Sequence, residues 1–456
     1  MIESELLKKI SSQRTAEIFA ELYGENEVEA ARQRYTTLIT EMLKDESDFS
    51  GDGLRSAPEN LRVFSASGRT ELAGNHTDHN RGKVLAASIQ LDNAAVVRKR
   101  NDNTVFYRSA GFPDVKVNLT DSSGAFDLLP KPEEKGTTEA LVRGIAAALK
   151  ERGSAMGGFS ANAASTVLPG SGLSSSAALE VLLCRVFDSL YGEGKRDSLE
   201  IAQIGQIAEN VYFGKPCGLM DQIACAAGGA VAIDFFDTAH PKVKQISFDP
   251  AASGYALCVV NTGGSHADLT ADYASIPAEM KAVAAFFGKS VLRELDKETV
   301  IDRAAEVRKT LGDRALLRAI HFFDENTRVD AMTAALTEME NAVTTAAKQQ
   351  ALCSYLDMVN ESGDSSWELL QNIYSPDCPE TQGIGIALAL TKDFLRKQKL
   401  RGACRVHGGG FAGTIQAYIP LDAMSFYRTK IETVFGANSV TVLKIRHRGA
   451  VEYLFP

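Results

Sequence analysis

The hydrophobic positions change period several times along the chain. From Ser4 to about Lys44, Leu, Ile and Ala recur at helical spacing among Glu, Lys and Arg, which predicts helices. A polar, Gly- and Pro-containing stretch, KDESDFSGDGLRSAPEN, reads as a loop. LRVFSA from Leu61 to Ala66 then reads as a strand, and VLAASI, AAVVRKR, TVFYRSA and VKVNL read as further short β segments over about residues 61–120. Thr137 to Arg152 returns to a helical period. FSANAAST is a strand, Ser174 to Tyr191 is a helix apolar almost all round and therefore buried, and Leu199 to Phe213 is another helix. GAVAIDFF and YALCVVNT read as strands, about Pro277 to Leu400 as mostly helix, and ACRVH, TIQAYIP and VTVLKIRH as strands around one helix. This order predicts an α+β amino-terminal half, a helical middle and a β-α-β return, without repeats or an evident linker.

Composition narrows the function classes. The chain has 456 residues, 45% hydrophobic and 23% charged, enough for two to four ordinary domains and a substantial core. A formal charge of −9 argues against a nucleic-acid-binding face. Seven cysteines without a C-x-x-C pair fit a reducing cytoplasm better than a disulfide framework. The charged opening residues lack a signal-peptide core, and no uncharged apolar run reaches the roughly 18 residues of a membrane span. The expectation is a cytoplasmic protein with no membrane or nucleic-acid partner. The sequence does not specify an oligomeric state; a monomer is the expectation.

Three stretches carry candidate chemistry. Leu168 to Leu179, LPGSGLSSSAAL, sets two glycines and four serines against the start of a buried helix. Glycine lets the backbone approach a phosphate, helix-start amides attract anions, and a serine hydroxyl can ligate Mg²⁺. The bland alternative is an ordinary serine cap at Ser174 or Ser175. No P-loop sequence occurs. Gly68 to Gly82, GRTELAGNHTDHNRG, concentrates Arg69, Asn75, His76, Asp78, His79 and Asn80, donors and acceptors suited to reading several hydroxyls. His76, Asp78 and His79 could alternatively ligate a metal, but the fuller H-x-H-x-D-H pattern fails at Gly74. His407 to Gly413, HGGGFAG, formally matches G-x-G-x-x-G, yet TIQAYIP after it reads as a strand, so a glycine hairpin fits better than a dinucleotide turn. The protein-kinase signatures H-R-D and D-F-G are absent. Asp221, in ENVYFGKPCGLMDQ, is either a functional carboxylate or a surface turn residue, and Glu209 by default a solvated helix residue.

Together these motifs resemble the galactokinase branch of the GHMP small-molecule kinases. Ser67 to Gly82 is similar to P-G-R-x-N-L-I-G-E-H-x-D-Y-N-x-G, Pro169 to Ala177 to a proline followed by G-x-G-L-S-S-S-A, Lys215 to Gln222 to M-P-C-G-x-M-D-Q, Ser265 to Tyr273 to R-H-S-L-A-x-S-x-Y, and His407 to Gly413 to T-G-G-G-F-G-G. The resemblance runs from about residue 60 to the end. It implies a two-lobed α+β fold, with an amino-terminal lobe like domain 2 of ribosomal protein S5, an α/β carboxy-terminal lobe and the active site between them. The implied division is a helical extension over 1–58, an amino-terminal domain over 59–240 and a carboxy-terminal domain over 241–456.

The implied reaction is phosphoryl transfer from ATP to the anomeric hydroxyl of galactose. Asp221 falls at the catalytic aspartate and Arg69 at its cationic partner. Asn75, His76, Asp78, Gly218 and Tyr273 fall at sugar-contacting positions. Gly170, Ser171, Gly172, Leu173, Ser174, Ser175 and Ser176 fall at the phosphate loop, with Ser176 and Glu209 as Mg²⁺ ligands. The departures cluster at the sugar side. Ser67, Asn75, His79 and His407 stand where the family pattern has Pro, Glu, Tyr and Thr, and Gly363 stands where a His is expected. Asn75 removes a negative charge, which leaves a kinase for a related sugar, such as galacturonate or N-acetylgalactosamine, as a second reading. A sugar- and ATP-binding regulator without turnover is a third.

Overall fold

The computed structural model describes residues 3–44, 61–167, 170, 172–264 and 269–453. The charged opening folds as three helices, α1 (Glu3–Ile10), α2 (Gln13–Tyr23) and α3 (Val28–Lys44). Ser12 caps α2 by accepting from the Thr15 amide, and Gly24, at positive φ, ends it. The loop expected after Lys44 lies almost wholly outside the described residues.

The first sheet begins with β1 (Leu61–Ala73), β2 (Lys83–Lys99), β3 (Thr104–Ser109) and β4 (Val115–Asn118). After α4 (Thr138–Glu151) come β5 (Phe159–Ser165), α5 (Ser175–Tyr191), α6 (Ser198–Ile207), α7 (Met220–Ala227), β6 (Ala230–Asp234) and β7 (Lys242–Ile246). The second sheet starts with β8 (Tyr255–Asn261). A helical middle follows: α8 (Thr270–Phe286), α9 (Lys297–Asp302), α10 (Ala304–Leu311), α11 (Asp313–Asn341), α12 (Thr345–Ser365) and α13 (Gly383–Lys397). The chain closes with β9 (Ala403–His407), β10 (Thr414–Pro420), α14 (Met424–Phe435), β11 (Val440–Leu443) and β12 (Val451–Tyr453).

Eight strands form the first sheet in the order β12-β1-β2-β5-β3-β4, with β6 also on β2 and β7 on β6. Among the described residues, only β3 and β5 pair in parallel within it. Strand alternation sends Phe64, Ala66, Ala95 and Val97 into the main core with α4 and α5, and Val63, Ala94 and Val96 to the opposite face, under Phe19, Tyr35 and Leu38 of α2 and α3. The second sheet, β11-β8-β10-β9, is antiparallel throughout. One of its faces packs Leu388, Phe394 and Tyr427 of α13 and α14. Its other face contributes Leu257, Val259 and Tyr418 to the main core, where α11 and α12 join the two sheets.

Four details differ from the sequence-based expectations. VLAASI and AAVVRKR are one 17-residue strand, because Asp92 in the polar break between them is paired and buried. The stretch from Gly68 to Ala73 is the end of β1, not a segment following it. The helix expected to reach Phe213 ends at Ile207 and continues as a π-turn over Ala208–Phe213. The strand Lys242–Ile246 is charged and mostly exposed, so its pattern carries little apolar signal.

Candidate active site

The site forms where the bulged end of β1, the start of α5, the start of α7 and the β9–β10 hairpin converge. The register of β1 on β2 shifts between Ser67 and Arg69, and such a bulge re-aims side chains. Arg69 closes on Asp221 as a fork, Nε to Oδ1 at 2.7 Å and Nη2 to Oδ2 at 2.8 Å, while Nη1 donates to the Gly172 carbonyl. Asp221 lies in the first turn of α7, where the helix dipole favours a carboxylate. Burial pushes its carboxyl upward, but Arg69 and the Ser174 hydroxyl outweigh burial and hold it below the ordinary range, so it is ionised at neutral pH.

The serine loop meets this pair directly. Ser174 occupies the N-cap position of α5 in a left-handed conformation and makes no capping bond. Its hydroxyl donates to Asp221 instead, so the amides at the helix start are left uncovered by that side chain. The Arg69 amide donates to the Leu173 carbonyl at 3.1 Å. Gly172 has φ +71°, and a β-carbon there would press on Thr414 and His407 of the glycine hairpin. That close approach joins the serine loop to the second sheet. Ser171, Leu168 and Pro169 lie outside the described residues.

Ser176, in the first turn of α5, donates to Glu209 Oε1 at 3.3 Å, and Lys215 Nζ donates to the same oxygen at 3.1 Å. Behind Glu209, Gln222 Nε2 bridges Glu209 Oε2 and Glu180 Oε2 at 3.0 and 2.9 Å. Burial, then the neighbouring Glu209, pushes the Glu180 carboxyl well up, which favours its neutral form. Glu209 is the carboxyl that faces Ser176. Ser176 and Glu209 set two oxygen donors side by side, the donor type that Mg²⁺ takes. The residues present thus fit the ion.

His76, Tyr273 and Asn75 gather beside the hairpin, while Asp78 meets Gly218. His76 donates from Nε2 to the Gly409 carbonyl at 2.9 Å, and burial lowers its pKa to about 4. Tyr273 donates to the Gly410 carbonyl at 3.0 Å and packs edge-on against Phe411. Burial lifts its phenol to about 12, so it stays protonated. The Asp78 carboxylate sits so close to Gly218 that a β-carbon there would collide with it, which ties the polar stretch to the turn before α7. Asn75 is fully buried, donating to Glu71 Oε1 at 3.0 Å and the Gly408 carbonyl at 2.7 Å and accepting from Asn372 at 2.8 Å. Among the described residues, no group of three or more His, Cys, Asp or Glu is arranged to hold a metal, His76, Asp78 and His79 included.

A buried pair that the sequence did not single out completes the frame, together with His407, known from the sequence only as a departure from the family pattern. Arg405, fully buried on β9, pairs with Glu71 of β1 at 2.7 Å, and His407 bridges Thr70 and Thr414 at 3.0 and 3.1 Å. The signal was present in ACRVH, where an arginine alternates with apolar residues on a strand that the core must cover.

A serine-lined helix start thus meets a fixed Arg–Asp pair where the two sheets approach each other. The chain matches the GHMP kinases N terminal domain over residues 140–229 and the galactokinase galactose-binding signature over residues 55–99. It is 33% identical over 383 residues to the galactokinase of Streptomyces coelicolor, covering 82% of this chain and 89% of that one. It is 32% identical over 373 residues to the galactokinase of Glaesserella parasuis, covering 80% and 87%. The crystal structure of Lactococcus lactis galactokinase complexed with galactose shares the fold, with a TM-score of 0.70 at 24% identity over 91% of this chain and 100% of that one. The chain belongs to the galactokinase family of GHMP kinases, which makes it an ATP-dependent sugar kinase. No helix among the described residues is long and apolar enough to cross a membrane.

Proposed function

We propose that the chain transfers the terminal phosphoryl group of ATP to the anomeric hydroxyl of galactose, giving galactose 1-phosphate. The observation that carries this reading is the bidentate Arg69–Asp221 pair, fastened to the serine loop through Ser174 and the Gly172 carbonyl. In this reading the triphosphate lies over the loop from Gly170 to Ser176 and the first turn of α5. The sugar lies between Asp221 and the side formed by His76, Asp78, Gly218 and Tyr273. The organisation that goes with it is a helical extension over 1–58 and two domains over 59–240 and 241–456.

Phosphoryl transfer passes through a loose transition state and needs mainly alignment and charge neutralisation. Asp221 is ionised and held low, so its first task is to orient the attacking hydroxyl, accepting that proton late as the new P–O bond forms. Arg69 stays charged, holds Asp221 in place and balances negative charge building beside it. Ser176 and Glu209 would hold Mg²⁺, which neutralises phosphate charge when bound. Tyr273 and the neutral His76 brace the hairpin over the sugar side.

The test is ATP consumption over galactose, galacturonate, N-acetylgalactosamine, arabinose and glucose, with the product's phosphate position read by ³¹P NMR. Turnover on galactose to the 1-phosphate is expected. It should vanish in EDTA and return with Mg²⁺. Turnover on galacturonate or N-acetylgalactosamine alone would replace galactose as the substrate. Sugar binding without turnover on any of them would make the chain a regulator.

A further inference from the structure

We propose that Arg34, on the third helix of the amino-terminal extension, is a positioning residue for phosphoryl transfer, acting through Asp92 and Thr166 on the serine loop and on the bulge that presents Arg69. The proposal rests on the serine loop and Asp221 being the transfer site.

Arg34 Nη2 pairs with Asp92 Oδ1 at 2.8 Å, and its Nη1 donates to Thr166 Oγ1 at 3.4 Å. Asp92 is fully buried at the middle of β2. Its Oδ2 accepts from Tyr23 of α2 at 2.7 Å and from Ser65 of β1, with Arg446 Nη1 at 3.4 Å. One carboxylate thus collects the amino-terminal helices, the central sheet and the carboxy-terminal tail.

Two main-chain paths lead from Asp92 to the reacting groups. In the β1–β2 register Asp92 lies opposite Ser67, the residue at which the register shifts before Arg69. Ser67 Oγ also donates to the Cys225 carbonyl of α7 at 3.1 Å, and α7 carries Asp221. On the other side, the Thr166 amide donates to the Asp92 carbonyl at 2.9 Å, and the Asp92 amide donates to Thr166 Oγ1 at 2.9 Å. Thr166 follows the last residue of β5 and leads into the serine loop. Its neighbour Val167 packs against Gly68 inside the bulge. Arg34 therefore braces both supports of the Arg69–Asp221–Ser174 knot without touching it. Removing Arg34 still leaves Asp92 with Arg446 and Tyr23, so the fold has a counter-charge to fall back on.

A misplaced reacting group slows transfer far more than it weakens binding of a substrate held elsewhere. Arg34→Ala should lower kcat at least about 10-fold and raise the KM for ATP, with the KM for galactose unchanged. Arg34→Lys, which keeps the charge but not the fork, should recover part of the loss. Hydrogen exchange, which needs no turnover, should quicken in the peptide running from β5 through the first turn of α5, with β9 unchanged. An inactive wild type would refute the proposed function, while the exchange arm would still judge this link. If Arg34→Ala does not fold, Thr166→Val probes the same link from the loop side, and Thr166→Ser should restore it. A lowered Tm with unchanged kcat, unchanged KM for ATP and unchanged loop exchange would reduce Arg34 to a structural residue and overturn the proposal.

Discussion

Arg69 grips both carboxylate oxygens of Asp221, at 2.7 and 2.8 Å. The grip fixes the direction of the carboxylate and keeps it ionised, which suits an orienting acceptor more than a strong base. Asp221→Asn keeps the shape and one acceptor oxygen but removes the charge. It should lower kcat at least about 100-fold while leaving the circular dichroism spectrum and KM for ATP near wild type. Near-normal turnover in that variant would take Asp221 out of the reaction.

Arg69→Lys separates charge from geometry. A lysine keeps one positive charge but cannot span Oδ1, Oδ2 and the Gly172 carbonyl together. Asp221 would then turn, and the serine loop would lose its side-chain tie to β1 at Gly172 while keeping the main-chain bond from the residue-69 amide to Leu173. We expect kcat to fall by about 10- to 100-fold with protein stability little changed, measured by steady-state turnover beside thermal unfolding.

The buried pair of Glu71 and Arg405 joins the two sheets, with Asn75 donating to the same Glu71 oxygen. Breaking such a pair from one side leaves an uncompensated charge in the interior. Glu71→Gln should therefore destabilise the fold by about 3–5 kcal/mol, read from urea unfolding. Asn75→Ala, which strips a buried amide from the Gly408 carbonyl and Asn372, should cost about 1–3 kcal/mol.

The groups legible in the sequence are those whose partners are implied by one contiguous motif. The serine loop and Arg69 each stand in a short segment whose residue types already suggest an anion or hydroxyl site, whereas Asp221 reads as functional only through the family resemblance. The hairpin at Gly408 to Gly413 was legible because TIQAYIP alternates as a strand does. The hidden parts depend on partners far away in the chain. Asp92 looks like a turn residue until Arg34 and Arg446, near the two ends of the molecule, neutralise it. Glu209 looks like a solvated helix residue until the π-turn places it under Ser176 and Lys215. The pairing of the Asn75 amide with the Gly408 carbonyl and Asn372 was hidden because those partners lie 333 and 297 residues further along the chain.

Acid should unfold the protein through its buried imidazoles. Burial is the largest cause holding His76, His321 and His407 below the ordinary value, with His76 at about 4 and His407 further disfavoured by Arg69 and Arg405. The bonds agree with neutral rings. The Glu71 amide donates to His407 Nε2, so the ring proton sits on Nδ1 against Thr414. His321 donates from Nε2 to the Asn75 carbonyl. The unfolded chain takes up protons at these histidines near pH 6.5, and the folded chain refuses them until lower pH. Between those limits the unfolded state binds more protons, so stability rises with pH and is lost as pH falls below about 6.5. Glu71 and Glu180, both raised by burial, work in the opposite sense and offset part of the loss. The urea midpoint should therefore drop between pH 7.5 and pH 5 by more than surface titration explains. His407→Gln, which keeps a polar side chain there but cannot be charged, should show a shallower drop over the same interval. An equal slope in that variant would mean His407 takes up its proton in the fold as readily as in the unfolded chain.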